Sequence, residues 1–292
     1  MQKRLSSLCV FLILVFLVAC QTDQAPAFDS FQYSTTQPII TSSIMATRNP
    51  SATPIPTRLI PSTLPTPARF TNLCSPLEGE PIDNLNRPDL LKNPFQAPRP
   101  GDDGGHHGID LAYWSRPDGS SMLGLPVQSV LDGLVAGIIN NRPPYGNAIL
   151  IETPPEVISP NWRQALPFSS YHLDSRLTLP ISLTCPKYPD PPATRNASLY
   201  LLYAHLQDAP GLKIGEAVSC GQTIGKVGTS GKSVNPHLHL ETRIGPAGQS
   251  FGSMAHYDNA ATEDEMLTYC LWRLSGEFQP FDPILLLSLQ SP

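Results

Sequence analysis

Short apolar runs separated by glycine, asparagine and proline dominate the chain from about residue 77 onward. Their length and their content of Val, Ile, Leu and Tyr are typical of β-strands. The pattern therefore predicts a mostly β domain. The strand candidates are residues 126–130, 133–139, 148–152, 199–206, 223–227 and 238–243.

Helical periodicity is clear only in residues 262–274, where an apolar face includes Cys270. Glu263, Asp264 and Glu265 open this segment, and acidic residues favour the first turn of a helix. We predict one short helix at the periphery of the domain. It lies in a stretch, 245–278, that reads as an insertion between strands, and the proline-rich stretch 154–197 reads as another.

The N-terminus predicts export. Lys3 and Arg4 precede an apolar run at residues 8–19, which is shorter than the roughly 20 residues that a membrane-spanning helix needs. The run ends in Leu17-Val18-Ala19-Cys20, which resembles the bacterial lipobox, whose cysteine is lipidated. We interpret residues 1–19 as a signal peptide and Cys20 as the lipid anchor of an extracytoplasmic, membrane-anchored lipoprotein of the cell envelope. The alternative is an ordinary signal peptide that contains a cysteine.

The segment after the anchor differs in composition from the rest of the chain. Residues 21–70 contain eight prolines, 15 Ser or Thr and five charged residues. Such a segment buries too little apolar surface to offset its chain entropy, and its prolines favour extended conformations. We predict a disordered tether over residues 20–70 and a folded domain over residues 71–292.

Charge and cysteine content narrow the classes of function. The formal net charge of −5 argues against a nucleic-acid partner, which requires a basic face. Outside the cytoplasm thiols tend to be oxidised. Of the six cysteines, Cys9 lies in the signal peptide and Cys20 is the predicted anchor, so four remain for disulfides, in three conceivable pairings. These four lack the C-x₂₋₄-C spacing of a zinc cluster. We hypothesise that a Cys185–Cys270 disulfide links the two insertions. A Cys74–Cys220 disulfide would then attach the segment that leads into the domain from its N-terminal side.

Histidines form three local patterns. His106 and Asp110 are four residues apart beside a glycine-rich turn. His237 and His239 have the i, i+2 spacing that places both side chains on one face of a strand, with Leu238 and Leu240 on the other. His205 ends a strongly β run, and strict alternation places it on the face of Leu201 and Tyr203.

Imidazole and carboxylate groups are the ligands that zinc takes in catalytic sites, usually three from the protein. Each histidine pattern alone is common in loops or in packed strands. Their joint occurrence between glycine-flanked β-runs is far more specific. It indicates a zinc site with imidazoles to spare for proton transfer.

Together these segments resemble the M23 (LytM/lysostaphin-type) zinc metallopeptidases. The resemblance rests on H-x₃-D, a Y-x-H strand and H-x-H, supported by Gly108-Ile109-Asp110-Leu111, by Tyr145-Gly146-Asn147 and by the turn before H-x-H. It covers roughly residues 100–244 and 280–287, interrupted by the two insertions. It implies an all-β, antiparallel sheet-rich peptidase domain in which the second insertion carries a short helix.

Residue by residue, the resemblance implies that zinc is held by His106, Asp110 and His239. His205 and His237 are then the catalytic imidazoles. His107 competes with His106, whose spacing to Asp110 matches the family. The resemblance departs at Ser230 and Asn235, where Thr and Gly are usual, and in the insertion 154–197, where the family has groove walls. We expect His172 and His256, in the insertions, to be surface residues.

The function implied by the resemblance is zinc-dependent hydrolysis of peptide bonds in bacterial cell-wall peptidoglycan. The alternative is a non-catalytic LytM-like domain that binds or activates another wall hydrolase. Such domains lack some of the ligands, whereas all five positions are filled here. The H-E-x-x-H motif of other zinc peptidases does not occur in the sequence.

Overall fold

A computed structural model describes residues 72–99, 102–114, 116–171, 185 and 196–289. These residues belong to one compact unit, Ser62–Pro292. The predicted signal peptide, the anchor Cys20, the whole of the predicted tether and His172 lie outside the described residues.

The main sheet follows the predicted antiparallel plan. Its strands pair in the order β1-β2-β9-β6-β5-β4-β7, β10 pairs with β9, and β3 and β8 form a separate two-stranded sheet. All these pairings are antiparallel, which confirms the predicted fold class. The strands are β1 Leu91–Asn93, β2 Gly108–Leu111, β3 Pro126–Gln128, β4 Gly133–Arg142, β5 Gly146–Thr153, β6 Ala197–Leu206, β7 Ala217–Val218, β8 Thr223–Lys226, β9 Leu238–Pro246 and β10 Gln279–Phe281.

Three α-helices occur in the described residues, α1 Pro160–Ala165, α2 Glu263–Arg273 and α3 Pro283–Leu287. The prediction for α2 is confirmed. Thr262 and Glu265 form a capping box at its N-terminus, in which each side chain bonds the other residue's backbone N–H. The expectation of one helix was wrong, because α1 and α3 are too short to show periodicity. None of the helices in the described ranges is long and apolar enough to cross a bilayer.

The sheet has an apolar core on each face. Alternate side chains of β6 pack into different cores. Leu199, Leu201 and Tyr203 belong to one core, and Tyr200, Leu202 and Ala204 belong to the other. The second core is completed by α2, whose Trp272 is fully buried. Helix α2 is therefore not peripheral as predicted, because its apolar face closes one side of the sheet.

Two disulfides connect the predicted pairs of cysteines. Cys74–Cys220 joins the N-terminal approach to the domain, and Cys185–Cys270 joins the first insertion to α2 in the second. Their Cα atoms are 5.5 and 6.0 Å apart, which is the usual separation in disulfides. The hypothesis that one bridge clasps the insertions is confirmed.

We predict that peptide mapping under non-reducing conditions yields these two linked peptides. Bridges that close loops of this length stabilise the native state by about 2–5 kcal/mol. We therefore expect the intact pairings to persist in the folded protein, with the digest repeated after reduction as the control. A Cys74–Cys185 peptide would contradict the assignment.

Candidate metal centre

Strand pairing brings together the three residues predicted to hold zinc. Asp110 of β2 lies directly opposite His239 of β9, and residues opposite each other in an antiparallel pair share a face of the sheet. His106 precedes β2 and is fixed by a β-bridge to Gln96. The side chains of all three therefore meet at one end of β2 and β9.

The three candidate ligand atoms lie close to one another. Asp110 Oδ1 is 3.2 Å from His106 Nε2 and 2.8 Å from His239 Nδ1, and these two nitrogens are 3.2 Å apart. Tetrahedral zinc with bonds of about 2.0–2.1 Å places its ligand atoms about 3.3 Å from each other. The cluster thus has the dimensions of a zinc site.

Hydrogen bonds on the far side of each ring decide which nitrogen faces the cluster. His106 Nδ1 donates to the carbonyl oxygen of Pro94 at 3.0 Å, and His239 Nε2 donates to Glu241 Oε1 at 3.2 Å. A neutral imidazole carries one proton, so the other nitrogen of each ring presents a lone pair. When both rings are neutral, two lone pairs and a carboxylate oxygen converge, and this set of donor atoms fits zinc.

Electrostatics at His239 also favour positive charge. Burial lowers the pKa of this imidazole, but hydrogen bonds to Asp110 and Glu241 outweigh burial and raise it to about 9. Burial likewise opposes ionisation of Asp110, yet hydrogen bonds from His106 and His239 hold its pKa far below the usual range. A metal ion bound at Nδ1 would therefore have to displace a proton from His239.

His205 and His237 stand beside this cluster. Their ring centroids are 4.7 Å apart, and the His205 ring is 5.9 Å from that of His239. His237 Nε2 is 3.6 Å from Asp110 Oδ1. All five predicted site residues therefore line one cavity.

Both flanking imidazoles are held as proton acceptors. Nδ1 of His205 donates to the carbonyl oxygen of Ser230, and Nδ1 of His237 donates to that of Asn235, each at 2.8 Å. Burial, followed by the neighbouring histidines, lowers the pKa of His205 to about 3, and burial lowers the pKa of His237. Both rings are thus neutral at pH 7, with Nε2 free to take a proton.

The face predicted for His205 was wrong. Between the pairs Ile149–Tyr203 and Asn147–Leu206, β6 has one residue more than β5, which is a β-bulge. His205 has the left-handed φ of 60° at this point. The bulge turns its ring away from the core that contains Tyr203 and onto the face of His239.

The turn before H-x-H keeps its geometry despite Ser230 and Asn235. The backbone carbonyls of Ser230 and Asn235, and not their side chains, hold the rings of His205 and His237. The hydroxyl of Ser230 donates to the Leu206 carbonyl and accepts from the Asn147 N–H. The departures from the family pattern are therefore compatible with the site.

The two other histidines in the described residues, His107 and His256, lie outside the cluster. His107 is buried on the opposite side of the loop, where its Nδ1 contacts Arg243 Nη2 at 2.7 Å, so the structure places His106 and not His107 at the cluster. His256 is 3% exposed and stacks on Tyr269, so its prediction as a surface residue was wrong.

Sequence reasoning missed three residues that contact the site. Glu241 lies behind His239, and its spacing of two on the same strand could have revealed it. Asn93 donates to Asp110 Oδ2 at 3.1 Å, and the ring centroids of Trp114 and His237 are 5.5 Å apart. Nothing in the sequence around Asn93 or Trp114 marks either residue as part of the site. The cavity measures about 320 Å³ and is lined by the five predicted residues together with Asn93, Trp114, Pro144, Tyr145, Lys232, Ser233, Val234, Asn235 and Arg273.

Residues 193–255 match the sequence model of peptidase family M23, and this segment contains His205, His237 and His239. This segment of the chain is therefore similar to peptidase family M23. The resemblance found from the motifs is thereby confirmed. The M23 match also spans all of β6, which carries His205, and all of β9, which carries His239.

Solved M23 peptidases and similar proteins resemble this chain at low identity. A zinc-containing peptidase from Vibrio cholerae is 20% identical over 61% of this chain and 37% of its own, with a TM-score of 0.33. The catalytic domain of the antimicrobial peptidase lysostaphin from Staphylococcus simulans is 17% identical over 68% of this chain and 93% of its own, with a TM-score of 0.34. A mutant catalytic domain of the prophage-encoded M23 protein EnpA from Enterococcus faecalis is 22% identical over 55% of this chain and 85% of its own, with a TM-score of 0.31. The chain thus spans little more than a third of the Vibrio protein.

Proposed function

We propose that the protein is a zinc-dependent endopeptidase that hydrolyses peptide bonds of bacterial cell-wall peptidoglycan. One observation carries the proposal: an oxygen of Asp110 and one nitrogen each of His106 and His239 lie within 3.2 Å of one another, beside two further buried imidazoles in a single cavity.

His106, Asp110 and His239 would hold the zinc ion. When bound, zinc supplies a Lewis acid that lowers the pKa of a water molecule toward about 7 and polarises a carbonyl group. Three protein ligands leave the open coordination position that catalytic sites keep. Asn93 would orient the Asp110 carboxylate by its bond to the second oxygen.

His205 and His237 would handle protons during hydrolysis. With Nε2 free, either imidazole can accept a proton from the attacking water, and the protonated ring can then donate to the oxyanion or to the leaving amine. Fixed Nδ1–H bonds to backbone carbonyls hold both rings in the tautomer that this requires. Trp114 packs against His237 and would restrict its movement.

The proposed substrate agrees with the proposed location. Lipid on Cys20 would anchor the protein to a membrane, facing the wall. A flexible tether the length of residues 20–70 has a root-mean-square span of about 40 Å, which would give the domain reach. Peptides of peptidoglycan are the proposed partners, together with the membrane that holds the anchor.

Digestion of purified sacculi tests the proposal directly. We expect the wild type to release muropeptides that have broken peptide bonds and intact glycan, as measured by mass spectrometry. A chelator should suppress the release, and added zinc should restore it. If sacculi of several wall types release nothing but still bind the protein, the non-catalytic alternative is correct.

A further inference from the structure

His239 can bind metal through Nδ1 only if its ring is held in one orientation. The contact that sets this orientation is the bond from Nε2 to Glu241 Oε1, since a carboxylate only accepts and so keeps the proton on Nε2. The position of Glu241 therefore determines where Nδ1 points.

Glu241 is a fully buried carboxylate surrounded by donors. Oε2 accepts from Arg243 Nε and Nη2 at 3.0 and 2.8 Å and from Trp272 Nε1 at 2.9 Å. Oε1 accepts from Tyr145 OH at 2.8 Å and from Arg273 Nη1 at 3.4 Å. Two of these donors, Trp272 and Arg273, are consecutive residues of α2, the helix of the second insertion.

Arg273 also reaches the loop that carries His106. Its Nε donates to Asp103 Oδ1 at 2.7 Å, and its Nη2 contacts the Asp103 carbonyl oxygen at 3.4 Å. Tyr269, one turn earlier on the same face of α2, donates to Asp103 Oδ2 at 2.6 Å. Asp103 is three residues before His106, so these bonds fix the approach to that ligand.

The guanidinium of Arg273 thus contacts both Glu241, which holds the His239 ring, and Asp103, which lies in the loop before His106. Nη1 faces Glu241 and Tyr145 OH, behind His239, while Nε and Nη2 face Asp103, before His106. The Arg273 side chain is 12% exposed, and its two carboxylate partners neutralise its charge. A planar guanidinium can bridge two such partners at fixed angles, which an ammonium group cannot do.

We propose that Arg273 is a positioning residue of the metal centre, through which the inserted helix α2 fixes the separation and orientation of His106 and His239. The proposal rests on the zinc site proposed above. It assigns the second insertion a role in metal binding, in addition to its role in closing the second core.

The test is the zinc affinity of the full chain, measured by competition with a chromophoric chelator. Arg273→Met is expected to weaken zinc binding about 10- to 100-fold, the usual cost of losing a residue that orients a metal ligand. The absorption spectrum of the cobalt-substituted variant should also change, because the ligand field depends on the positions of the rings.

Arg142→Met is the matched control. Arg142 binds Glu265 at the other end of α2, at 2.7 and 2.8 Å, and is far along the helix from Glu241 and Asp103. This variant should lower the melting temperature but keep the zinc affinity and the cobalt spectrum of the wild type. An equal loss of affinity in the control would show that only helix stability matters and would overturn the proposal.

Two further outcomes are informative. If wild type and Arg273→Met bind zinc equally, the role of Arg273 is refuted while the zinc site stands; if the wild type binds no zinc, the proposed function itself fails. Should Arg273→Met not fold, Asp103→Asn removes one charged anchor of the same guanidinium with a side chain of nearly the same size and shape. That variant should also bind zinc more weakly, and unchanged affinity in it would overturn the proposal.

Discussion

His239→Ala is expected to lose the bound zinc and, with it, all measurable hydrolysis. The substitution removes one of three ligand atoms and leaves Asp110 and His106 as an incomplete set. It also leaves the buried carboxylate of Glu241 without the His239 donor. Elemental analysis should find about one zinc per chain in the wild type and none in the variant.

The matched control for this prediction is His256→Ala. His256 is also a buried histidine, but it stacks on Tyr269 rather than lining the cavity. Its removal should leave the zinc content unchanged, so that loss of metal cannot be ascribed to the loss of any buried imidazole. Full retention of zinc by His239→Ala would refute the ligand assignment.

The sequence was most informative where structure depends on local pattern. The longer strands, β4, β5, β6 and β9, follow from runs of β-forming residues, and α2 follows from the acidic residues that open it and from its periodicity. Strands β1 and β7 could not be predicted, because Leu91–Asn93 and Ala217–Val218 are too short to show alternation. They are strands because a neighbouring strand pairs with them.

The site was predictable to a similar extent. Alternation placed His237 and His239 on one face, opposite Leu238 and Leu240, but no local pattern showed that Asp110 would face His239. That contact depends on the register between β2 and β9, and only the family resemblance implied it. The bulge at His205 likewise depends on its pairing with β5.

The contacts made by α2 were outside the reach of sequence reasoning. Its pattern indicated an apolar face, yet Trp272 and Arg273 have their partners on β9 and in the loop before β2. A buried charge is stabilised only by partners that the tertiary fold supplies. From the sequence alone, Arg273 resembles an ordinary polar residue at the end of a surface helix. Only the structure shows that Glu241 and Asp103 surround it.

His237→Ala is expected to keep its zinc while hydrolysis falls about 10²- to 10⁴-fold, the usual contribution of a positioned proton-transfer group. His237 stands beside the cluster, and its Nδ1 is committed to the Asn235 carbonyl. Its Nε2 is 3.6 Å from Asp110 Oδ1, outside the tight group of three ligand atoms. Zinc content and the rate of peptide release from sacculi should be measured on the same preparation.

Comparison of His237→Ala with His239→Ala decides which imidazole of the H-x-H motif is the ligand. Both side chains are on one face and are almost equally buried, so a general loss of packing would affect the two variants alike. The structure predicts opposite metal contents, because only His239 has a donor bond to Glu241 that directs its other nitrogen toward Asp110. An active His237→Ala variant would overturn its role in proton transfer, and a zinc-free one would show that the two histidines have been assigned in reverse.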